Sequence, residues 1–279
     1  MNRQGIIKSV STLFPTRWHS ATKFGVHPVK FALRNKLFNR VNQILFSIVM
    51  SSFSGINRIC KIASFTGDGL VKVLLKQNKA INENAISIAL KKLCQNGVRK
   101  LQFFLLSKNV HWLKESGLIS ITLDAGSTVK SVCGNQEGAA KGFNTTKKGA
   151  KSYHPLLVFV SEMKLLYHTW FRTGGAYTSN GIIDFLKEVK TSLPENIDKV
   201  FFRADSGFFS GELFELLESY GWDYLVKMKL KNLNKLLESK TWEPIKGKKD
   251  IDICEFTYKA NGWSKSRTLK AIRSVKEYV

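Results

Sequence analysis

The chain has 279 residues, of which 43% are hydrophobic, and this composition excludes a disordered chain because it provides enough apolar residues for a core. Forty-four Lys and Arg residues against 21 Asp and Glu residues give a net charge of +23. Such an excess of positive charge favours a polyanionic partner, with nucleic acid first and a membrane surface as the alternative.

The four cysteines, Cys60, Cys94, Cys133 and Cys254, include no Cys-x-x-Cys pair. We therefore expect neither a zinc site nor a disulfide framework, and a reducing, cytoplasmic location fits best. The basic N-terminus lacks the apolar segment of a signal peptide. The stretch ILFSIVM at 44–50 is too short to span a bilayer, so we predict a buried helix there and no membrane partner.

In chain order, residues 1–30 are predicted to form an irregular basic lead-in, and residues 31–117 have the periodicity of helices. Asn82 is expected to cap one helix that ends at Gly97, and a further helix follows at 98–115. Short helices with lysine-rich faces are typical of a helical DNA-binding region, and a merely solvated basic surface explains any single helix equally well.

From residue 118 onwards the pattern changes to alternating β-branched and apolar residues, which predict strands. Two strands are expected around a turn at Glu162–Lys164. A helix follows, with Ser179 or Asn180 as its cap, and a later helix ends at Gly221. Strands that alternate with helices predict an α/β fold: a helical N-terminal region followed by a mixed sheet with flanking helices.

Two carboxylates end predicted strands: Asp124 in LDAGS and Asp205 in FFRADSGF. Ligands collect at the carboxyl ends of strands in such sheets. Carboxylates that meet there suit Mg²⁺ or Mn²⁺, and two such ions assist displacement at a phosphodiester. An Asp at the end of a strand is also a common turn former or helix cap, which remains the alternative for Asp205.

Four other polar positions are interpreted as non-catalytic. Ser127 and Thr128 are expected to form turn bonds, because no partnered histidine is evident. His154 and His168 are expected to pack or to face DNA rather than to act in catalysis.

The segment 133–155 is rich in Gly and Lys but has neither a P-loop nor a dinucleotide fingerprint, so no small-molecule cofactor is expected. Its Lys141, Lys147, Lys148 and Lys151 suit contacts with DNA phosphates. A flexible, solvated loop is the alternative.

The stretches 123–160, 170–189 and 200–229 resemble, in content and order, the motifs of IS1380-type insertion-sequence transposases. That family belongs to the DDE transposases, which have a ribonuclease-H-like core. The resemblance covers about residues 35–260 and implies cleavage of double-stranded DNA at the element ends, followed by attack of the freed 3′-hydroxyl on target DNA. It also implies three acidic residues with two Mg²⁺ or Mn²⁺ ions, a homodimer on paired ends, and a bacterial, nucleoid-associated location.

The resemblance places the catalytic, metal-binding acids at Asp124 and Asp205, and it adds Arg172 and Arg203 to the candidate DNA contacts. The first motif departs from the family pattern. The family usually has Asp-x-Asp-Ser-Thr, whereas this chain has Gly126 at the second Asp position. Gly126 is therefore a candidate replacement of the essential first acid.

The third acid of the family, a Glu on a helix, has no counterpart that we assign in this chain, because neither Glu255 nor Glu277 has the surroundings of the family motif. We expect a ribonuclease-H-like domain at 118–279 that is incomplete at the C-terminus and contains the start of a strand-rich insertion. The chain is then a partial or inactive copy. The alternatives are a non-catalytic DNA-binding remnant and a stand-alone nuclease that uses Asp124, Asp205 and Glu137.

Overall fold

The computed structural model describes residues 36–274, except positions 57, 76, 93, 135, 143, 145, 146, 231, 232 and 249. The predicted lead-in at 1–30 lies outside this part of the chain. The chain divides into two compact units, one ending at Gln102 and the other beginning at Phe103. Within the described residues, no helix combines the length and the apolar character that crossing a bilayer requires.

The first unit is helical, as expected. Its helices are α1 (Lys36–Phe53), α2 (Ile59–Gly67), α3 (Gly69–Leu74), α4 (Glu83–Lys92) and the beginning of α5 (Cys94–Glu115), which continues into the second unit. A small core of Ile44, Ile62, Ile86 and Ala89 joins α1, α2 and α4. The predicted helix at 44–50 is therefore the middle of α1, with Ile44 buried and Phe46 and Val49 about half exposed.

Side-chain caps start two of these helices. The Asp68 carboxylate accepts the N–H groups of Leu70 and Val71 at the start of α3, and the Asn82 side chain accepts the Ala85 N–H at 2.7 Å before α4. The cap at Asn82 is confirmed. The expected helix end at Gly97 is wrong, because Gly97 lies inside α5. A glycine costs about 1 kcal/mol in a helix, which a long helix with tertiary packing tolerates.

The second unit is built on a five-stranded sheet in the order β6-β5-β1-β7-β8. Its strands are β1 (Ser120–Ser127), β5 (Leu156–Val160), β6 (Leu165–Trp170), β7 (Lys199–Ala204) and β8 (Asp223–Val226). Strands β1, β5 and β6 pair antiparallel, whereas β7 and β8 run parallel to β1. This is the strand order of a ribonuclease-H-like sheet, and the predicted fold class is confirmed.

Strand β1 shows how the sheet is assembled. Ile121, Leu123 and Ala125 point to the buried side, while the residues between them are only partly covered. The helices α6 (Ile182–Ser192) and α7 (Gly211–Ser219) complete the core.

The end of α5 belongs to the same core, because Leu106, Val110 and Leu113 pack into it. The compact unit therefore begins before the boundary expected at residue 118.

The start of α6 corrects one expectation. Neither Ser179 nor Asn180 is the cap; Gly181 is, with a left-handed φ of 75° and no side-chain hydrogen bond. A Cβ at Gly181 would lie 2.9 Å from the Trp170 ring, so both conformation and space favour glycine there. The expected end of α7 is confirmed, since the helix stops just before Gly221, whose φ is 66°.

Two small three-stranded sheets extend the second unit. One consists of β2 (Lys130–Ser131), β3 (Ala140–Lys141) and β4 (Lys151–Tyr153). The other consists of β9 (Glu243–Pro244), β10 (Ile251–Tyr258) and β11 (Arg267–Ser274), with the short α8 (Leu233–Glu238) before it.

Arg267 connects this second small sheet to α7 through an ion pair. Its guanidinium donates to both carboxylate oxygens of Glu218 at 2.8 and 3.0 Å, and lies 4.9 Å from the centre of the Trp263 ring. Burial opposes ionisation of Glu218, but hydrogen bonds from Arg267, Tyr224 and Lys265 prevail and lower its pKa to about 2. Arg267 is only 7% exposed, so the pair is largely shielded from water.

Replacing this guanidinium with an apolar side chain of similar length is expected to destabilise the unit. We predict that Arg267→Met lowers the free energy of unfolding by about 3 kcal/mol at neutral pH, because Glu218 is left without its main partner. The pKa of Glu218 is lower in the folded chain than its ordinary 4.5, so the contribution is complete above pH 4.5 and is lost as the pH falls toward 2. Urea unfolding at several pH values measures both effects.

The matched control is Lys270→Met, which breaks the exposed pair of Lys270 with Glu255 on β10 and β11. That change is expected to cost less than about 1 kcal/mol. Equal losses in the two variants would contradict the role assigned to Arg267.

Candidate active site

The carboxyl ends of β1, β6, β7 and β8 lie at one edge of the five-stranded sheet, together with the start of the antiparallel β5. Asp205 follows β7 directly at this edge, and Asp124 lies in β1 three residues before its end. Both predicted acids are therefore on neighbouring strands. Their side chains have different partners.

Asp124 is bound to Arg203 on the adjacent strand. The two residues are opposite each other in the parallel register, and Arg203 donates to both Asp124 carboxylate oxygens, at 2.6 and 2.7 Å. The Arg203 hydrogen bonds outweigh a small opposing effect of burial, so the pKa of Asp124 lies below its usual value. Arg203 also donates to the Ser161 hydroxyl at 3.1 Å. The carboxylate that the sequence offers to a metal is thus held by a cation of the chain itself.

The register also shows which residue lies opposite Asp205. Ala125 pairs with Ala204, so continuing the parallel register by one residue places Gly126 beside Asp205. Gly126 is on the same face of β1 as Asp124, two residues further along. A Cβ at Gly126 would meet no atom within 4 Å, and its φ is not in the left-handed region. A larger side chain would fit at this position, but the chain has none.

Asp205 acts as a cap. Its carboxylate accepts the Gly207 N–H at 2.8 Å and starts the short 3₁₀ turn Ser206–Phe208. Gly207 must be small, because a Cβ there would lie 2.6 Å from a Thr178 methyl group. Asp205 therefore has the capping role that the sequence offered as the alternative. Its side chain is nevertheless exposed to solvent at the edge of the sheet.

The donor set does not fit a pair of divalent ions. Within the described residues, no three His, Cys, Asp or Glu side chains are close enough to hold one metal. Glu255 lies on the separate small sheet, paired with Lys270. Glu277 is outside the described part of the chain. Asp205 is left without a carboxylate opposite it in the continued register, and Glu137, Asp124 and Asp205 do not form such a group of three.

Ser127 has a histidine partner that sequence reasoning missed. The His154 Nε2 atom lies 3.0 Å from the Ser127 hydroxyl, and its Nδ1 atom lies 2.7 Å from the Ala176 carbonyl oxygen. Because a carbonyl oxygen only accepts, Nδ1 carries the proton and Nε2 accepts from Ser127. The feature that brings Ser127 and His154 together is the antiparallel pairing of Ser127 with Leu156, because it places the residues just before β5 next to the end of β1.

Arg172 binds the backbone around it. It donates to the carbonyl oxygens of His154 at 2.9 Å, of Tyr177 and Thr178 at 3.3 Å, and of Asn180. It therefore holds together the segment between β6 and α6. Its predicted contact with DNA stays a prediction.

His168 is a packing residue, in agreement with one of the two expectations. It is buried, stacks on Phe185 at 5.0 Å, and bonds Glu188 at 2.8 Å.

The lysine-rich segment 133–155 is folded and is more than a loop, since it contributes β3 and β4 to the first small sheet. Lys141 and Lys151 are directly opposite each other in that sheet, while Lys147 and Lys148 lie in the turn between the two strands. These four predicted DNA contacts are thus close in the chain's fold as well as in its sequence.

The family model for transposase DDE domain group 1 matches residues 39–277, which is most of the chain. The chain belongs to this DDE transposase family. The IS1380 subtype is a finer assignment than this match gives. No curated protein matches the chain.

Solved transposase structures are distantly similar to this DDE transposase chain. A piggyBac synaptic complex with hairpin DNA is 12% identical over 86% of this chain and 52% of its own chain, with a TM-score of 0.42. A Mos1 paired-end complex with the left transposon end is 8% identical over 70% and 69%, with a TM-score of 0.28. The chain spans about half the length of the piggyBac protein.

Proposed function

We propose that this DDE transposase chain, of the IS1380 type, binds double-stranded DNA and does not by itself cleave or transfer strands efficiently. The observation that carries this proposal is the parallel register of β1 and β7 up to Ala125 and Ala204, because its continuation by one residue would set Gly126, rather than a carboxylate, beside Asp205. The Arg203 pairing of Asp124 supports it, because that acid is already neutralised. The terminal repeats and target DNA of an insertion sequence are the partners that the family implies.

DNA binding rests on charge rather than on the incomplete carboxylate set. A net charge of +23 attracts the phosphate backbone independently of any metal. The lysines of 133–155 are at the same edge of the five-stranded sheet as Asp205, since β4 leads directly into β5. A homodimer on paired ends and a cytoplasmic, nucleoid-associated location remain predictions from the family resemblance.

A cleavage assay tests the catalytic half of this proposal. Supercoiled plasmid is incubated with the wild-type chain or with Asp205→Asn in the presence of Mg²⁺ or Mn²⁺. The Asp205→Asn variant keeps a side-chain oxygen for the helix cap but has no negative charge. We expect the wild-type chain to nick the plasmid no faster than this variant. Duplex binding is followed in parallel by fluorescence anisotropy in the presence of a chelator, where it is expected to persist. Metal-dependent nicking by the wild-type chain that Asp205→Asn abolishes would contradict the proposal, and so would a complete loss of duplex binding with chelator.

A further inference from the structure

A basic aromatic surface lies at the same edge of the five-stranded sheet as Asp205. We define the basic aromatic face as Lys130, Lys141, Lys151, Tyr153 and Phe171. Strand β2 follows β1 after two residues, and β4 precedes β5 by two residues, so the first small sheet is attached where these two strands meet that edge. Phe171 follows the end of β6 there.

Strand pairing places the lysines and the tyrosine on one side of the small sheet. Lys130 is opposite Tyr153, and Lys141 is opposite Lys151. Lys151 and Tyr153 are two residues apart on β4, so their side chains point to the same side. The fully buried Ser152 points to the other side. Three ammonium groups and one aromatic ring therefore share the outer surface.

Phe171 extends this surface with a second ring. It is 70% exposed, and its ring centre lies 4.5 Å from that of Tyr153. Phe171 is highly exposed, and its neighbour Tyr153 shares one side of the small sheet with three lysines. This surface does not suit an apolar protein partner, because burying ammonium groups against apolar surface is unfavourable. It suits an anionic ligand that also has flat apolar faces.

The backbone holds these rings in place. The Tyr153 hydroxyl donates to the Glu137 carbonyl at 2.5 Å, and Tyr153 forms a β-bridge with Thr173. A Cβ at Gly142 would lie 1.8 Å from the Gly174 carbonyl oxygen, and a Cβ at Gly174 would lie 2.3 Å from that of Ser152. Only glycines permit this close packing of the two backbones. Tyr153 is thus held through both its hydroxyl and its backbone, which lowers the entropy lost when a ligand contacts this aromatic pair.

We propose that the basic aromatic face binds an unpaired DNA strand, with a base stacked on Phe171 and the neighbouring phosphates near the lysines. In a paired duplex the base faces are covered, so only an unpaired base offers a surface to the Phe171 ring. Lysines contact the backbone without regard to sequence. This proposal rests on the DNA binding proposed above and adds which form of DNA this surface prefers.

Two labelled DNA molecules of equal length test it, one fully paired and one with a central bubble of unpaired thymidines. Anisotropy titrations with the wild-type chain, Phe171→Ala and Phe171→Trp are compared. We expect Phe171→Ala to weaken binding to the bubble DNA by about tenfold and binding to the paired DNA by less than about twofold, because stacking is lost while the charges remain. Phe171→Trp is expected to retain the wild-type preference, since its ring also stacks.

Phe103→Ala is the matched control, because Phe103 is 72% exposed and lies outside the basic aromatic face. Equal effects of Phe171→Ala on both DNA molecules, or equal effects of Phe103→Ala and Phe171→Ala on the bubble DNA, would overturn the stacking proposal while leaving duplex binding intact. A wild-type chain that binds neither DNA would instead overturn the proposed function.

Discussion

Raising the salt concentration from about 50 mM to about 200 mM is expected to weaken duplex binding by this chain by about a thousandfold or more. The reason is that each phosphate neutralised by Lys or Arg releases condensed counterions, and this release is less favourable in high salt. A chain with a net charge of +23 has enough cations for roughly six phosphate contacts. Anisotropy titrations at several salt concentrations give the slope of log affinity against log salt.

Paired lysine variants locate these contacts. Lys130→Gln together with Lys141→Gln is expected to reduce the magnitude of the slope by about 1.8, or about 0.9 for each phosphate that a lysine no longer neutralises. The control is Lys164→Gln with Lys199→Gln, because these exposed lysines lie at the opposite edge of the five-stranded sheet. Equal changes in the slope for the two double variants would show that binding is not localised at the Asp205 edge.

Local sequence patterns were sufficient to predict much of the architecture. The alternation in LISITLDAGS predicted β1, and the turn at Glu162–Lys164 separates β5 from β6 as expected. Such features depend on neighbouring residues in the chain. The start of α6 was missed because Gly181 is selected by the distant Trp170 ring, which no local capping pattern reveals.

The site was harder to predict because its contacts join separate strands. Asp124 and Arg203 meet only through the parallel pairing of β1 with β7. Their positions could be inferred once that register was known, but neither side chain identifies the other in the sequence. Lys130 and Phe171 were missed for the same reason. They flank the lysine-rich segment, and they join its surface only because Lys130 pairs with Tyr153 and the Phe171 ring contacts the Tyr153 ring.

Gly126 belongs both to the LDAGS motif of the sequence and to the end of β1 in the sheet. The sequence marks it as a departure from the family pattern, and continuing the register of β1 and β7 by one residue sets it beside Asp205. The free energy of metal binding at this edge is therefore expected to depend on residue 126. Asp124 does not substitute for the missing group, because both of its oxygens accept hydrogen bonds from Arg203.

The substitution Gly126→Asp is expected to create a binding site for Mn²⁺. The new carboxylate enters open space beside Asp205, and two like charges at short range favour a cation between them. At about 100 times the dissociation constant, Mn²⁺ would stabilise the variant by about 2.7 kcal/mol. For a unit of this size that corresponds to a rise in melting temperature of roughly 5–10 °C. Without metal, repulsion between the two acids is expected to make the variant slightly less stable than the wild-type chain.

Two further variants distinguish the effect of the negative charge at residue 126 from the effect of the added side chain. Gly126→Asn adds nearly the same side chain without the negative charge. Gly126→Asp combined with Asp205→Asn keeps the new carboxylate and removes its partner. Neither is expected to gain Mn²⁺-dependent stability, because a single exposed carboxylate binds the ion weakly.

Calorimetric titration of Mn²⁺ into these chains tests the central claim most directly. We expect saturable binding of Mn²⁺ to Gly126→Asp, and no saturable binding to the wild-type chain, to Gly126→Asn or to the Gly126→Asp/Asp205→Asn double variant. Saturable Mn²⁺ binding by the wild-type chain that Asp205→Asn removes would contradict the claim that the site lacks its second carboxylate. Failure of Gly126→Asp to bind Mn²⁺ better than Gly126→Asn would contradict the placement of residue 126 beside Asp205.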